Sequence, residues 1–215
     1  MVLEIKQFIK NARPDNEYIV LAFNTKIQVV FDKNGDYKAL EEALNELSAI
    51  KPKDNTAFYD AAYAALENAE SGKYQKKVLI ACSDGEDNQS VSYKRDDVVK
   101  FLKRSDVLFY SVSYIEKFIN PLAMNIAGKV FLSDMTNISG GKSFFATKEV
   151  ELSDIFDQIN SELKNQYQIG VQVTDFTKPD KWRDVKIKVA PLSDGDKKNK
   201  VQVRTRSGFY PVSAK

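Results

Sequence analysis

The sequence predicts an α/β fold, namely a doubly wound, mostly parallel sheet with flanking helices and a C-terminal antiparallel β-element. The clearest observation is the uninterrupted apolar run Val78–Cys82, which is typical of a strand covered by helices on both faces. A second is the repeated alternation of strand-like and helix-like patterns between positions 18 and 163. A third is period-two alternation in the tail, clearest at Val185–Val189, which indicates strands with one wet face.

The N-terminal part predicts a helix, a hairpin and two further helices. Apolar residues at positions 2, 5, 8, 9 and 12 follow a helical period. The β-rich runs Tyr18–Phe23 and Lys26–Phe31 are joined by Asn24-Thr25, which indicates a hairpin whose second strand is an antiparallel edge. Small and apolar residues at helical spacing then mark two amphipathic helices, one through Leu40, Ala43, Leu44 and Leu47 and one through Ala61, Ala62, Ala65, Leu66 and Ala69.

The central part continues the alternation. A helix from about Tyr93 to Arg104 leads into a strand at Val107–Val112. The pattern from Ile115 to Lys129 is ambiguous between helix and loop. We expect Gly140 to end the next helix as a left-handed cap. The last predicted strand and the closing helix follow at Lys142–Ala146 and around Ile155, Phe156, Ile159 and Leu163.

The sequence pattern changes from helix-like to strand-like at Tyr167. We expect three antiparallel strands there, at Gln168–Thr174, Trp182–Val189 and Val201–Arg206. We interpret Asp194-Gly195-Asp196 as a turn, because the remaining ligands of a calcium loop are absent. The basic residues of the tail are interpreted as solvated strand faces: Arg183, Lys186, Lys188, Arg204 and Arg206. We therefore predict an α/β domain over residues 1–166 and appended β-strands packed on it over residues 167–215.

Composition indicates an ordinary folded domain and excludes several function classes. The chain has 215 residues, 43% hydrophobic and 29% charged, which is ample material for one core. The 32 Lys and Arg residues against 30 Asp and Glu give no general attraction to nucleic acid. No apolar stretch reaches the about 18 residues of a membrane span. The absence of His excludes His-based triads and His-ligated zinc, and the single Cys82 is interpreted as a small core residue.

A candidate site follows the strand Val78–Cys82. Ser83-Asp84-Gly85 breaks the apolar run at the carboxyl end, where open parallel sheets bind ligands. Asp84 therefore lies at the rim of the predicted sheet, and Thr56 stands at a helix entrance. The alternative is that Asp84 or Asn88 only caps the next helix. We interpret Glu86 and Asp87 as solvated residues of the same loop.

These two segments resemble the second and third metal-site loops of the von Willebrand factor type A family, in a bacterial branch often labelled VWFA-related. The segments that carry the resemblance are Asn55-Thr56-Ala57-Phe58-Tyr59-Asp60-Ala61, Ser83-Asp84-Gly85-Glu86-Asp87, Ser139-Gly140-Gly141-Lys142-Ser143-Phe144-Phe145, Asn165-Gln166-Tyr167-Gln168-Ile169-Gly170 and Val203-Arg204-Thr205-Arg206-Ser207-Gly208-Phe209-Tyr210. The resemblance implies a Rossmann-like sheet and an adhesion site in which Thr56 and Asp84 help to hold Mg²⁺, Mn²⁺ or Ca²⁺. An acidic residue of a protein partner completes the coordination in that family.

One part of the family pattern is absent from this sequence. The family's opening strand ends in Asp-x-Ser-x-Ser and supplies three of the five metal-site side chains, and no such motif occurs here. We expect the sequence to be an amino-terminally truncated piece of a longer protein; a genuinely short variant is the alternative. Export of the longer protein is implied only by the resemblance to this bacterial branch, since nothing in the residues indicates a compartment. Because Thr56 and Asp84 alone make a poor site, we expect metal binding to be weak or absent.

The absent strand also affects the predicted sheet. In the family it lies between the strands that correspond to Tyr18–Phe23 and Val78–Cys82. Its absence leaves buried backbone groups unpaired at about 1 to 3 kcal/mol each. We therefore expect either a closed sheet, in which the two neighbours pair directly, or an open sheet with an empty slot.

The predicted function is a non-enzymatic protein-binding module of the von Willebrand factor type A kind. Two alternatives belong to other classes. A structural or assembly module would bind its partners without metal. A Mg²⁺-dependent hydrolase could use Asp84 as a nucleophile, but the second carboxylate and lysine that such enzymes need are not evident.

Overall fold

The computed structural model describes residues 1–13, 15–32, 37–48, 55–114, 126–189 and 203–211. The helices and strands follow one another in the order α1 Val2–Asn11, β1 Val20–Phe23, β2 Ile27–Phe31, α2 Tyr37–Ser48, α3 Phe58–Glu70, β3 Val78–Cys82, α4 Arg95–Arg104, β4 Leu108–Tyr114, α5 Ile126–Ser139, β5 Ser143–Ala146, α6 Val150–Lys164, β6 Arg183–Asp184 and β7 Gly208–Phe209. None of the described helices has the length and apolar character needed to cross a membrane.

The centre of the fold is a three-stranded parallel sheet in the order β3-β4-β5. Val78 aligns with Leu108, and Ser111 of β4 aligns with Ser143 of β5. Each crossover between these strands contains a helix, as parallel strands require. The predicted α/β architecture with a mostly parallel sheet is therefore confirmed.

Helices cover both faces of this sheet. On one face, α1, α2 and α6 bury a cluster that comprises Phe8, Ile9, Leu40, Leu44, Tyr110, Val112, Phe144, Ala146, Leu152, Phe156 and Ile159. On the other, α3, α4 and α5 bury a second cluster of Phe58, Ala62, Leu66, Val98, Leu102, Val107, Phe109, Phe131, Leu132 and Met135. Because side chains alternate along a strand, Tyr110 of β4 enters the first cluster and Phe109 enters the second.

The predicted hairpin forms, but it does not join the parallel sheet. β1 and β2 pair antiparallel, with Phe23 opposite Ile27. Among the described strands, β3 pairs only with β4, and no backbone hydrogen bond between described residues links β1 to β3. Of the two arrangements expected from the sequence, the closed one, in which these two neighbours pair directly, is therefore not adopted by the described strands.

Most predicted elements lie close to their observed positions. β4 extends to Tyr114, two residues beyond the predicted Val112, because Ser113 is buried and pairs with Phe145 of β5. Gly140 has φ +90° and ends α5, which confirms the predicted left-handed cap. Residues 115–125 of the ambiguous stretch lie outside the described residues, and α5 begins at Ile126.

The tail departs from the prediction of three regular strands. Gln168–Thr174 forms no strand, and the predicted strand at Trp182–Val189 is reduced to Arg183–Asp184, which pairs with Gly208–Phe209. A period-two pattern records amphipathic character, but a strand also needs a neighbour to pair with. The turn at Asp194-Gly195-Asp196 and the start of the strand predicted at Val201 lie outside the described residues.

The interpretation of the basic tail residues as solvated is wrong for half-buried Arg206, whereas Lys186, Lys188 and Arg204 are exposed. Arg206 donates to Asp106 Oδ1 at 2.8 Å and to Gly208 O at 2.7 Å, and it also contacts the carbonyl oxygen of Ser105. Arg204 forms an ion pair with Glu162 of α6. These bonds attach the tail to α4 and α6, while the boundary between residues 166 and 167 stays a prediction.

Candidate functional site

The loop that follows β3, residues 83–93, is called the rim loop here. It begins with a tight turn, in which Gly85 N–H donates to Ser83 Oγ at 3.1 Å and Glu86 N–H donates to Asp84 Oδ1 at 3.0 Å. Asp and Ser side chains commonly form such bonds to the backbone two residues ahead. The turn leaves the side chains of Asp84 and Glu86 exposed at the carboxyl end of the sheet.

The conformation of this turn requires glycine at position 85. Gly85 has φ +80°, a value that L side chains rarely adopt. A Cβ atom at this position would lie 2.6 Å from the carbonyl oxygen of Gly128, and a Cβ on Gly128 would lie 2.5 Å from the carbonyl oxygen of Asp84. The two glycines therefore allow the turn and α5 to pack backbone against backbone.

Thr56 is fastened to the rim loop through backbone contacts. Its N–H donates to Asn88 Oδ1 at 2.8 Å, and its carbonyl oxygen accepts from the N–H groups of Asn88 and Gln89 at 3.0 and 3.1 Å. The segments that carry the two predicted ligands, Thr56 and Asp84, are thus joined directly. Half-buried Thr56 lies beside the loop whose first turn presents Asp84.

The rim loop also supplies the N-terminal cap of α3. Ala57 occupies the N-cap position and has no capping side chain, but Asp87 Oδ1 accepts a hydrogen bond from Tyr59 N–H at 3.0 Å. Ser90 Oγ accepts from Asp60 N–H at 3.0 Å. A carboxylate near a helix N-terminus is also favoured by the helix dipole. The interpretation of Asp87 as a solvated residue is therefore wrong.

Asp60 fastens the far end of the rim loop. Its carboxylate accepts hydrogen bonds from the N–H groups of Val91, Ser92 and Tyr93 at 3.0, 3.1 and 2.7 Å. The Tyr93 ring stacks on Tyr63 of α3 with centroids 3.6 Å apart. Sequence reasoning missed Asp60, because an Asp in the first turn of a helix ordinarily needs no partner elsewhere.

Neither Asp84 nor Asn88 caps the next helix, so that alternative from the sequence is wrong. The N-cap residue of α4 is Lys94, and the carboxylate of Asp97 accepts from Lys94 N–H at 3.0 Å. The rim loop is instead supported from β4, where Ser113 Oγ donates to the carbonyl oxygen of Ser83 at 2.6 Å.

The described residues do not complete a metal site. Among them, no group of three or more Asp, Glu, His or Cys side chains is placed to hold a metal ion. Asp60 and Asp87, the other acidic residues that fasten the loop, already accept hydrogen bonds from backbone N–H groups. Thr56 and Asp84 have the right oxygen chemistry for Mg²⁺, but two side chains do not fill an octahedral shell.

Aromatic side chains pack beneath the rim loop. The Tyr59 ring meets Phe131 of α5 edge to face, with centroids 5.1 Å apart. Burial raises the pKa of the Tyr59 hydroxyl, and the nearby Asp87 carboxylate raises it further. The Tyr59 hydroxyl therefore stays protonated and uncharged at physiological pH, and its ring packs beneath the rim loop as a neutral group.

No protein-family model matches the sequence, and no curated protein matches it significantly. Solved structures do resemble its fold. One is the von Willebrand factor type A protein from Catenulispora acidiphila, with a TM-score of 0.57 and 14% identity over 75% of this chain. Another is proximal thread matrix protein 1 from the mussel byssus, with a TM-score of 0.53 and 16% identity over 74% of this chain.

A third structure is the conserved hypothetical protein BatB from Bacteroides thetaiotaomicron, with a TM-score of 0.54 and 12% identity over 76% of this chain. The match spans 87% of BatB. It spans only 37% of the Catenulispora chain and 41% of the mussel chain. At these identities the comparisons establish the fold.

Proposed function

We propose that this chain, which has the fold of von Willebrand factor type A domains, is a non-enzymatic protein-binding module that binds through its rim loop. The observation that carries the proposal is the contrast between the fixed backbone of this loop and its exposed side chains. Val91 N–H is held by Asp60 at 3.0 Å, yet the Val91 side chain is 92% exposed. A surface ordered before binding loses little conformational entropy when a partner docks.

The chemistry of this surface suits a protein partner. Exposed Asp84 and Glu86 carboxylates lie at one end of the loop, and exposed Val91 lies toward the other. Protein interfaces commonly combine an apolar contact with polar groups that determine orientation. The proposal requires no catalytic group, and the nearby carboxylates of Asp60 and Asp87 bind the backbone.

Within this proposal, Thr56 and Asp84 are two oxygen donors for a divalent cation such as Mg²⁺ or Mn²⁺. Hydroxyl and carboxylate oxygens are the ligands that these hard cations prefer. Two donors give weak binding at most. The second candidate function, partner binding without metal, is supported by the finding that no three Asp, Glu, His or Cys side chains of the described residues are grouped to hold a metal ion.

Site-specific photo-crosslinking tests the binding surface. A photo-crosslinking amino acid in place of Val91 is expected to capture a defined protein from extracts of the source cells, and Asp84→Ala in the same chain is expected to reduce capture. The matched control position is Leu3, another exposed apolar residue, which lies on α1 and is 72% exposed. Equal capture from positions 91 and 3, or capture unaffected by Asp84→Ala, contradicts the proposal.

Calorimetric titration with Mg²⁺ and Mn²⁺ separates the two candidates. We expect dissociation constants weaker than about 1 mM for the chain, with Asp84→Ala removing whatever heat is observed. Glu86→Ala, an exposed carboxylate of the same turn, is the matched control. No binding at all favours the metal-independent module, whereas tight binding lost only in Asp84→Ala contradicts an incomplete site.

A further inference from the structure

A groove of about 430 Å³ lies between α3 and α4 on the surface of the protein. It is lined by residues of both helices and, at one end, by Tyr93, the last residue of the rim loop. Each of the two helices leads into a strand of the same parallel sheet, α3 into β3 and α4 into β4. The two helices therefore run in the same direction, side by side, and form the two walls of what is called the α3–α4 groove here.

Three aromatic rings form the apolar part of the α3–α4 groove. Tyr63 of α3 stacks on Tyr93 with the two ring planes only 6° apart. Phe101 of α4 meets Tyr63 edge to face, with centroids 5.0 Å apart. All three residues are half-buried, so part of each ring stays accessible. Aromatic side chains are enriched in protein interfaces because they supply a large contact area.

The two walls of the groove carry opposite charges. On α3, Glu67 and Glu70 follow Tyr63 at spacings of four and seven residues, which places them on the same helix face. On α4, Lys100 and Arg104 lie one turn apart beside the Phe101 ring. All four charged residues are exposed. The α3 wall is therefore acidic and the α4 wall is basic.

These charges are available to a partner. The ion pairs that they make within the chain are long, at 3.7 Å for Glu70 with Lys77, 3.8 Å for Arg104 with Asp180 and 4.0 Å for Lys100 with Asp97. Surface ion pairs of this kind contribute little to stability, so their exchange for contacts with a partner costs little. Asp97, the acidic residue on the α4 wall, has a separate role, because its carboxylate accepts from Lys94 N–H at 3.0 Å.

We infer that the α3–α4 groove binds an amphipathic helix of a partner protein. The apolar stripe of that helix lies over the three rings, its basic flank faces α3, and its acidic flank faces α4. A helix fits better than an extended segment, because the walls are themselves helices whose backbone groups bind each other. An extended segment would gain no backbone hydrogen bonds there, whereas a helix satisfies its own backbone groups.

The charged walls also determine the direction of the bound helix. A helix with basic residues along one flank and acidic residues along the other matches both walls in one direction. In the reverse direction, each flank meets a wall of like charge, which is unfavourable. The groove therefore selects a partner by its apolar stripe and fixes its direction by charge.

Fluorescence anisotropy with a designed peptide tests the inference on the intact chain. The probe is a labelled helical peptide of about 18 residues, or five turns, with Leu and Trp in one stripe, Lys along one flank and Glu along the other. One control peptide carries Lys on both flanks, and a second has Ser throughout the stripe. We expect the probe to bind at least about tenfold more tightly than either control. Absence of probe binding, or equal binding of a control, would overturn the inference.

Charge reversal of one wall provides a second test. Lys100→Glu combined with Arg104→Glu makes both walls acidic, and both positions are exposed, so the fold should be retained. We expect this variant to bind the peptide with two Lys flanks more tightly than the probe, the opposite of the unaltered chain. Lys10→Glu combined with Lys38→Glu, at exposed positions of α1 and α2, makes the same change in net charge and should keep the original preference. An unchanged preference in the first variant, or a reversed one in the control, would overturn the inference.

This inference does not depend on the proposed function of the rim loop. The proposed function uses the exposed side chains from Asp84 to Val91, whereas the charged walls of the groove lie on α3 and α4. We expect Asp84→Ala to bind the probe peptide as the unaltered chain does. We also expect the Lys100→Glu and Arg104→Glu variant to be captured normally from position 91. The two proposals can therefore fail separately.

Discussion

The carboxylate of Asp87 accepts a hydrogen bond from the backbone N–H of Tyr59 at 3.0 Å, across 28 residues of sequence. This bond connects the loop after β3 to the first turn of α3. The loop that presents Asp84 is therefore also the cap of a neighbouring helix, and its shape and the stability of α3 are coupled.

Replacement of Asp87 is expected to destabilise the fold. Asp87→Ala leaves Tyr59 N–H without its acceptor and should lower the free energy of unfolding by about 1 to 2 kcal/mol, as the loss of a helix cap does. Urea unfolding measures the change. Glu86→Ala removes the exposed neighbouring carboxylate and should change stability by less than about 0.5 kcal/mol. Equal effects of the two substitutions would contradict the capping role.

The turn at Gly85 should not tolerate a side chain. Gly85→Ala combines a positive φ with a Cβ atom 2.6 Å from Gly128 O, so we expect a loss of at least about 2 kcal/mol. Gly170→Ala is the matched control, because a Cβ there meets no atom within 4 Å. Thermal unfolding of both variants checks the prediction, and a neutral Gly85→Ala would show that the turn is built differently.

Glu162 should make stability depend on acid pH. Burial raises its pKa, but hydrogen bonds from Arg204 and Tyr110 outweigh this and hold the pKa below the ordinary value of 4.5. A lowered folded-state pKa stabilises the fold above the unfolded pKa, and this stability is lost as the pH falls through the folded pKa. Below about pH 4.5, the stability difference between the unaltered chain and Glu162→Gln should therefore shrink.

Urea midpoints at about pH 7 and at successive values below about pH 4.5 measure this difference. Glu41→Gln, which replaces an exposed carboxyl of α2, is the control. Its effect on the urea midpoint should be small and the same at every pH. A difference for Glu162→Gln that stays constant with pH would contradict the stabilised carboxylate.

The thiol of Cys82 should resist alkylation in the folded chain. Burial raises the pKa of Cys82 to about 12, so the reactive thiolate is scarce near neutral pH. At about pH 8, iodoacetamide should react on the order of a thousandfold more slowly with the folded chain than with the chain in urea. Glutathione in the same mixtures controls for the effect of urea on the reagent. Equal rates in both conditions would mean that Cys82 lies outside the core.

The parts of the fold that the sequence predicted well are those in which one strong local signal sufficed. The apolar run Val78–Cys82 coincides with β3, since both the run and its Ser-Asp-Gly ending are encoded locally. Gly140 ends α5 as expected because few other residues adopt its φ of +90°. The hairpin of β1 and β2 likewise follows from a short link between two β-rich runs.

The predictions that were wrong concern residues whose structure depends on partners distant in sequence. Gln168–Thr174 alternates like a strand but has no strand beside it in the described part of the chain. The sequence around Arg206 predicts a solvated side chain, because nothing in it points to Asp106, a hundred residues away. At the candidate site, the metal-ligand roles of Thr56 and Asp84 stay predictions that rest on the family resemblance. The roles of Asp60 and Asp87 emerge only when the rim loop meets α3.

The most direct test of the account is amide hydrogen exchange across the rim loop. If the loop is a preformed binding surface, the N–H groups of Asn88, Val91 and Tyr93 should exchange much more slowly than those of Ile169 and Val171, which lie in an exposed stretch without helix or strand. Asp60→Ala should release Val91 and Tyr93 while Asn88 stays protected. Exchange of all three rim amides as fast as at Ile169 would contradict the claim that this surface is ordered before a partner binds.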